Sequence, residues 1–338
     1  MKRIYYIIPL AIFAIYLLGP RPDYADWKES EVEIKPSQIP LTIIEDRIKH
    51  NDTIEVKPGN ASRIVWADSM RRTEYVVVYL HGFSASPMEG DPVHEEFAKR
   101  YGANLYLPLL AGHGIDDKES FKDLMPRDLI LSARRAVTIA TALGEKVIIM
   151  SCSTGSALGT YISSYNPDLI HAHIMYSPNA NMSDRRLRML VNPWGLQVAR
   201  YMNGSDYRTI PNMPESCHPY WTMTYRLEGI AAVKSLVNTT MNSDVYEEIT
   251  HPIFVGYYYK NDEEKDEVIS IPALKKMFKK VETPEDKKRL VAFPNGTHVL
   301  PSKLQNKDLE SVRKETYKFA EEVLGMKPVN LGVLGSAE

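Results

Sequence analysis

Apolar positions in the middle of the chain fall in short β-branched runs separated by longer stretches with helical spacing. Glu74-Tyr-Val-Val-Val-Tyr-Leu80, ending at His81-Gly82, predicts a buried strand. Asn104–Pro108, Lys146–Ser151, His171–Ser177, Ile253–Tyr259 and Arg289–Phe293 predict five more. Helices are predicted closing at Phe97–Tyr101, from Pro126 to Leu143 with Gly144 as the stop, and from Thr154 to Tyr165 before Asn166-Pro167. Two more are expected at about Ile271–Lys280 and Asp308–Leu324. Strands alternating with helices predict an α/β fold, a mostly parallel sheet covered on both faces.

One stretch breaks the alternation. Residues 180–250 separate two sheet strands by far more chain than one crossover needs. They hold 6 of the 14 Met, 2 of the 4 Trp and 5 Tyr, flexible apolar side chains that suit an adaptable lid over an apolar pocket. Met182, Trp194 and Trp221 are therefore candidate substrate contacts. The plainer alternative is a helical insertion with its own small core, and the two are compatible.

At the N-terminus, Lys2 and Arg3 precede an uncharged run from Ile4 to Leu18. As a helix the run is about 22 Å long, short for a span but suited to a membrane anchor or a signal segment. No Ala-x-Ala site appears before Trp27 and Pro20 follows Gly19, so a retained membrane anchor is expected, with a removed signal as the alternative. The basic pair places the body outside the cytoplasm. The expected division is an N-terminal segment over 1–20, a linker over 21–60, a core over 61–179 and 251–325, a cap over 180–250 and a loose tail over 326–338.

Composition narrows the function. The 41 Lys+Arg nearly balance the 43 Asp+Glu, which argues against nucleic acid as the main partner. Two cysteines exclude a disulfide scaffold and a Cys-rich metal site. Asn-x-Ser/Thr triplets at Asn51, Asn60, Asn181, Asn203, Asn238 and Asn295 are better explained by chance than as glycan acceptors. The chain has no G-x-G-x-x-G and no P-loop, so no cofactor is implied.

Three segments carry chemistry. Ser151-Cys152-Ser153-Thr154-Gly155 sits where a strand meets a helix, with small residues two before and two after Ser153. A sharp strand-to-helix turn would project Ser153 above the sheet, with the Thr154 N–H and the helix dipole aimed at it. His81-Gly82-Phe83 follows the first strand; Gly82 lets the backbone approach a ligand, and the Phe83 N–H with that of Thr154 would form an oxyanion hole. Phe293-Pro294-Asn295-Gly296-Thr297-His298 places a histidine beyond the last strand, where it can act as general base. A carboxylate from the run Asp262, Glu263, Glu264, Asp266 and Glu267 would orient it. His171 and His173 share a strand face, but no Cys or Glu completes a metal site. Gly112-His113-Gly114 reads as a turn lining the pocket.

Taken together, His81-Gly82-Phe83, Gly112-His113-Gly114, Ser151-x-Ser153-x-Gly155, Asp266-Glu267-Val268-Ile269 and Gly296-Thr297-His298 resemble an α/β-hydrolase, over about residues 70–325. The closest branch is similar to carboxylesterases and monoacylglycerol lipases, with serine aminopeptidase-like members. The resemblance implies an eight-stranded, mostly parallel sheet with a cap inserted after the sixth strand. It also implies Ser153 as nucleophile, His298 as base, an acid after the seventh strand, and Phe83 and Thr154 as oxyanion donors. Asp266, followed by Glu267-Val268-Ile269, resembles the family's acid motif, whereas the charged run 261–265 looks like an inserted, solvated bulge. Ser151 replaces the family's usual Gly.

The expected activity is therefore hydrolysis of a small-molecule ester, favouring an acyl chain, without metal or cofactor. A peptidase of the same fold would need an amine-binding carboxylate in the cap, where Glu215 and Glu228 are the only Glu between 180 and 246. A silent binding protein of this fold is the alternative from another class, against which the complete Ser, Asp and His set argues.

Overall fold

Strand propensity and helix punctuation meet in a computed structural model that describes residues 4–24, 28–50 and 55–329. Lys2, Arg3, Asn51 and the tail from 330 onward lie outside the described residues. In chain order come α1 (Ile4–Leu17), α2 (Leu41–His50), β1 (Arg63–Val65), β2 (Thr73–Leu80), α3 (Val93–Arg100), β3 (Asn104–Leu107), α4 (Pro126–Leu143), β4 (Gly144–Cys152), α5 (Thr154–Ser164) and β5 (Ile170–Tyr176). An excursion follows, with α6 (Gly195–Asn203), β6 (Tyr207–Thr209), β7 (Thr224–Arg226), α7 (Leu227–Thr240) and α8 (Ser243–Glu247). The chain then rejoins the sheet with β8 (Ile253–Tyr258), α9 (Ile271–Lys280), β9 (Lys288–Phe293) and α10 (Leu309–Glu322).

The sheet runs β1-β3-β2-β4-β5-β8-β9, parallel throughout except for β1 against β3. Among the described residues it has seven strands, which corrects the expected eight. Chain before β1 forms α2 instead of an outer strand, burying Ile44 and Ile48 in the cluster beneath α4. Side chains alternate faces along the strands: Val76, Val78 and Leu80 join the α4–α5 side, while Val77 and Tyr79 join the α3–α10 side. Helix ends follow local chemistry, with Pro126 at the first turn of α4 and the side chains of Ser270 and Asp308 capping α9 and α10.

Strand order reverses about β2, since β3 lies on one side of it and β4 on the other. Parallel strands aim their C-terminal ends the same way, so a crevice opens above this point. The loops after β2, β4, β8 and β9 all reach it.

Three boundary expectations need correction. The stretch expected as a linker is docked: Val32 and Ile34 are buried, and Asn166 clamps them by accepting from the Ile34 N–H and donating to the Val32 carbonyl. The start of the expected loose tail is also held, with Met326 buried and the Val329 N–H donating to the Arg100 carbonyl. The transmembrane anchor is not met either. α1 has 14 residues with Pro9 inside it, about 21 Å against a hydrocarbon core of about 30 Å. No helix among the described residues is long and apolar enough to cross a membrane.

Phe254 shows how the core is knit, being fully buried between the rings of Tyr176 and Phe319. Phe254→Ala should therefore lower unfolding free energy by about 3–5 kcal/mol, read by chemical denaturation.

Candidate active site

The turn from β4 into α5 is tight because the helix must start directly over the end of the neighbouring strand. A Cβ on Gly155 would stand 2.0 Å from the Leu80 carbonyl oxygen, so only glycine allows this approach. Ser153 absorbs the bend at φ 51° and ψ −118°, a conformation costing a non-glycine residue about 1–3 kcal/mol. Its neighbours hold it there: the Ser153 N–H donates to the Tyr176 carbonyl, and its own carbonyl accepts from the Asn179 N–H. The hydroxyl then faces a cleft of about 330 Å³.

His298 arrives on the loop after β9. Its Nε2 lies 3.1 Å from Ser153 Oγ and its Nδ1 lies 2.7 Å from Asp266 Oδ2. Burial disfavours the charged ring, but the charge and hydrogen bond of Asp266, with a smaller effect of Glu89, outweigh it and raise the pKa above 6.5. Asp266 is buried, which raises its pKa, yet the pairing with His298 and the N–H groups of Val268 and Ile269 on Oδ1 bring it below the ordinary value. The chain reaches this position through a pinched-off loop. Tyr259 bridges to Lys265, and the Asp266 N–H donates to the Tyr258 carbonyl, so the inserted residues bulge out while Asp266 returns to the end of β8. Asp262 sits on that bulge, exposed beside Tyr259 and Lys265.

Gly82, Phe83 and Thr154 line the cleft with Ser153 and His298. The backbone N–H groups of Phe83 and Thr154 carry no hydrogen bond among the described residues. Behind them, the Phe83 ring packs on Phe121 at 4.6 Å, on Tyr225 at 5.2 Å and on His113 at 5.8 Å between centroids. This corrects the reading of the Gly112-His113-Gly114 turn: His113 is buried behind Phe83 and supports the loop rather than lining the pocket.

Met182 and Trp221 also line the cleft; Trp194 does not. Its indole lies over Gly19, with Nε1 donating to the Ile15 carbonyl and its backbone N–H to the Pro20 carbonyl. It fastens the end of α1 to α6. Among the described residues, no group of three or more His, Cys, Asp or Glu is arranged to hold a metal ion.

Two features escaped the sequence reading. Glu89 is only 2% exposed yet lines the cleft, with Oε2 accepting from the Gly82 N–H at 2.8 Å and the Tyr79 hydroxyl at 3.0 Å. Burial raises its pKa to about 7, against the opposing pull of those hydrogen bonds and of His298. Ser151, at the position expected to be Gly, bonds His173 Nε2 at 2.7 Å and Ser156 Oγ at 2.9 Å. Burial holds the His173 pKa well below 6.5, so the ring under the turn is neutral.

A profile of the alpha/beta hydrolase family matches residues 77–303. The chain belongs to that family. No curated protein matches it in sequence. Among solved structures it is similar to one reported for LipS and LipT, two metagenome-derived lipolytic enzymes, at 16% identity and a TM-score of 0.63 over 78% of this chain and 98% of that one. A monoacylglycerol lipase from Paleococcus ferrophilus aligns at 11% identity and TM-score 0.56, over 79% and 98%. Ferulic-acid-bound Est1E from Butyrivibrio proteoclasticus aligns at 16% and 0.53, over 78% and 95%. At these identities the likeness speaks for the fold.

The Ser151 network makes a prediction. Ser151→Ala leaves two buried polar atoms, His173 Nε2 and Ser156 Oγ, short of a partner, and should cost about 1–3 kcal/mol of stability in denaturant titration. Ser151 is buried and does not line the cleft, so the change should act on stability and leave the cleft as it is.

Proposed function

We propose that the protein is a serine hydrolase of carboxylic esters. The observation that carries this reading is the hydrogen-bonded line Asp266–His298–Ser153, with its serine on a strained turn that faces a cleft. Ser153 Oγ attacks the ester carbonyl while His298 Nε2 takes its proton. Asp266 holds the Nδ1–H, fixing the tautomer and stabilising the imidazolium. The N–H groups of Phe83 and Thr154 receive the oxyanion. Collapse expels the alcohol, protonated by His298, and leaves an acyl-enzyme that water hydrolyses by the same steps.

Residues 180–250 act as a cap in this reading. Met182, Leu187, Ile210, Met213 and Trp221 give the cleft an apolar wall that favours an acyl chain. The peptidase alternative loses its two cap carboxylates. Glu228 is paired with Arg200 and Arg226, and Glu215 is outside the cleft lining.

Ser153→Ala should abolish covalent labelling by a fluorophosphonate probe and lower kcat for p-nitrophenyl esters by about 10⁴–10⁶-fold, with the fold retained. Labelling that survives would move the nucleophile elsewhere and sink the triad.

The acid gives a second test. In Asp266→Asn, the two N–H donors on Oδ1 keep the amide oxygen, so the amide NH₂ faces His298 Nδ1. That forces the ring proton onto Nε2, where it cannot accept from Ser153. The loss in kcat should be about 10⁴-fold, the size seen for this exchange in Ser-His-Asp proteases. Asp262→Asn, on the exposed bulge, should cost less than about tenfold. Because Asp266 raises the pKa of His298, and the base works as the neutral ring, the wild-type rate falls as pH drops through that value. Removing the charge should shift this acid limb to lower pH, measured as residual kcat/KM across pH 5–9.

A further inference from the structure

We propose that Oε1 of Glu89 is the acceptor for a hydrogen-bond donor on the substrate, a hydroxyl or an ammonium carried next to the scissile ester. The proposal deepens the hydrolase reading and rests on it.

Glu89 sits in the short 3₁₀ turn Pro87–Gly90, and its two oxygens have different fates. Oε2 is saturated by the Gly82 N–H and the Tyr79 hydroxyl. Oε1 takes no hydrogen bond among the described residues, although the residue is almost fully buried. It lies 2.8 Å from where a Cβ on Gly82 would stand, and Ser153 Cβ lies 3.2 Å from the same point. The free oxygen and Ser153 therefore lie close together, on either side of the bare Gly82 Cα.

A role in holding the oxyanion loop accounts for Oε2 alone. Glu89 lines the cleft, so a partner for Oε1 can come from whatever occupies the cleft. The titratable groups around the carboxyl are Tyr79 on β2, Cys152 on β4 and His298 after β9. None is a permanent cation, so a donor brought by the substrate completes the site. A carboxyl poised near neutral pH serves both kinds of donor: ionised it accepts from an ammonium, and in either form it pairs with a hydroxyl.

The test uses ethyl esters of propanoic, 2-hydroxypropanoic and 2-aminopropanoic acids, with propyl acetate against ethylene glycol monoacetate for the alcohol side. Each kcat/KM is divided by the rate constant of alkaline hydrolysis, to remove intrinsic reactivity. At least one donor-bearing ester should exceed its plain partner by about 10- to 100-fold. In Glu89→Gln, the Gly82 N–H holds the amide oxygen at the Oε2 position, so NH₂ faces the cleft. An ammonium preference should then fall almost to one, while a hydroxyl preference, able to accept from the amide, should fall only severalfold. That contrast identifies the donor. Wild-type ratios near one, or ratios that Glu89→Gln leaves unmoved, overturn the proposal. No turnover of any ester, in a wild-type protein that also fails to label with a fluorophosphonate, would overturn the hydrolase reading and the proposal with it.

Discussion

The contact on which the rest depends is the approach of α5 to the end of β2, with no room for a single methyl between Gly155 and the Leu80 carbonyl. Once the helix is seated there, the chain leaving β4 has one residue in which to turn, and Ser153 takes a backbone conformation that side chains avoid. The strain is held by the sheet itself, through the Tyr176 carbonyl at the end of β5. The same seating places Thr154, the first residue of α5, on the crevice where the strand order reverses. The positions of the Ser153 hydroxyl and of Thr154 on the cleft are thus two consequences of one packing decision.

The two buried carboxyls of the site show how environment divides one chemical group into two. Both lose solvation. Asp266 recovers it from two N–H donors and the His298 ring, and its pKa falls. Glu89 receives only two neutral donors on one oxygen, and its pKa rises to about 7. Asp266 is therefore a fixed negative charge suited to holding an imidazole, while Glu89 changes state near neutrality. Divergence of paired carboxyls in this manner is a mark of sites that do chemistry.

Legibility in the sequence followed the physics of each signal. The bounds of α4 were readable because Pro126 and Gly144 act locally, and β2 and β4 because a buried strand needs a continuous apolar run. The three-residue β1 and the hairpin β6–β7 are too short to show a period. The eighth strand came from resemblance, not from residues. Trp194 was misplaced because aromatic enrichment places a side chain in the cap but does not say which surface it meets. Glu89 was missed for the opposite reason. A lone Glu in a turn reads as solvated, and its burial depends on Tyr79 and Gly82, ten and seven residues upstream.

The departure at residue 151 shows that a motif position specifies a space rather than a residue. Glycine is usual there because the strand runs close beneath the turn. Here a hydroxymethyl group occupies that place, and the surroundings are altered to receive it. His173 brings Nε2 to Ser151 Oγ, and Ser156 brings a second hydroxyl from the first turn of α5. Gly159 leaves room for the ring, since a Cβ there would meet His173 at 2.6 Å. The four residues form one unit under the turn at Ser153, with the Ser151 hydroxyl as its hub. Glycine restored at 151 without its partners would leave His173 and Ser156 polar and buried. The substitution pattern to be expected in relatives is therefore correlated: small at 151 with an apolar residue at 173, or Ser at 151 with His at 173 and Gly at 159.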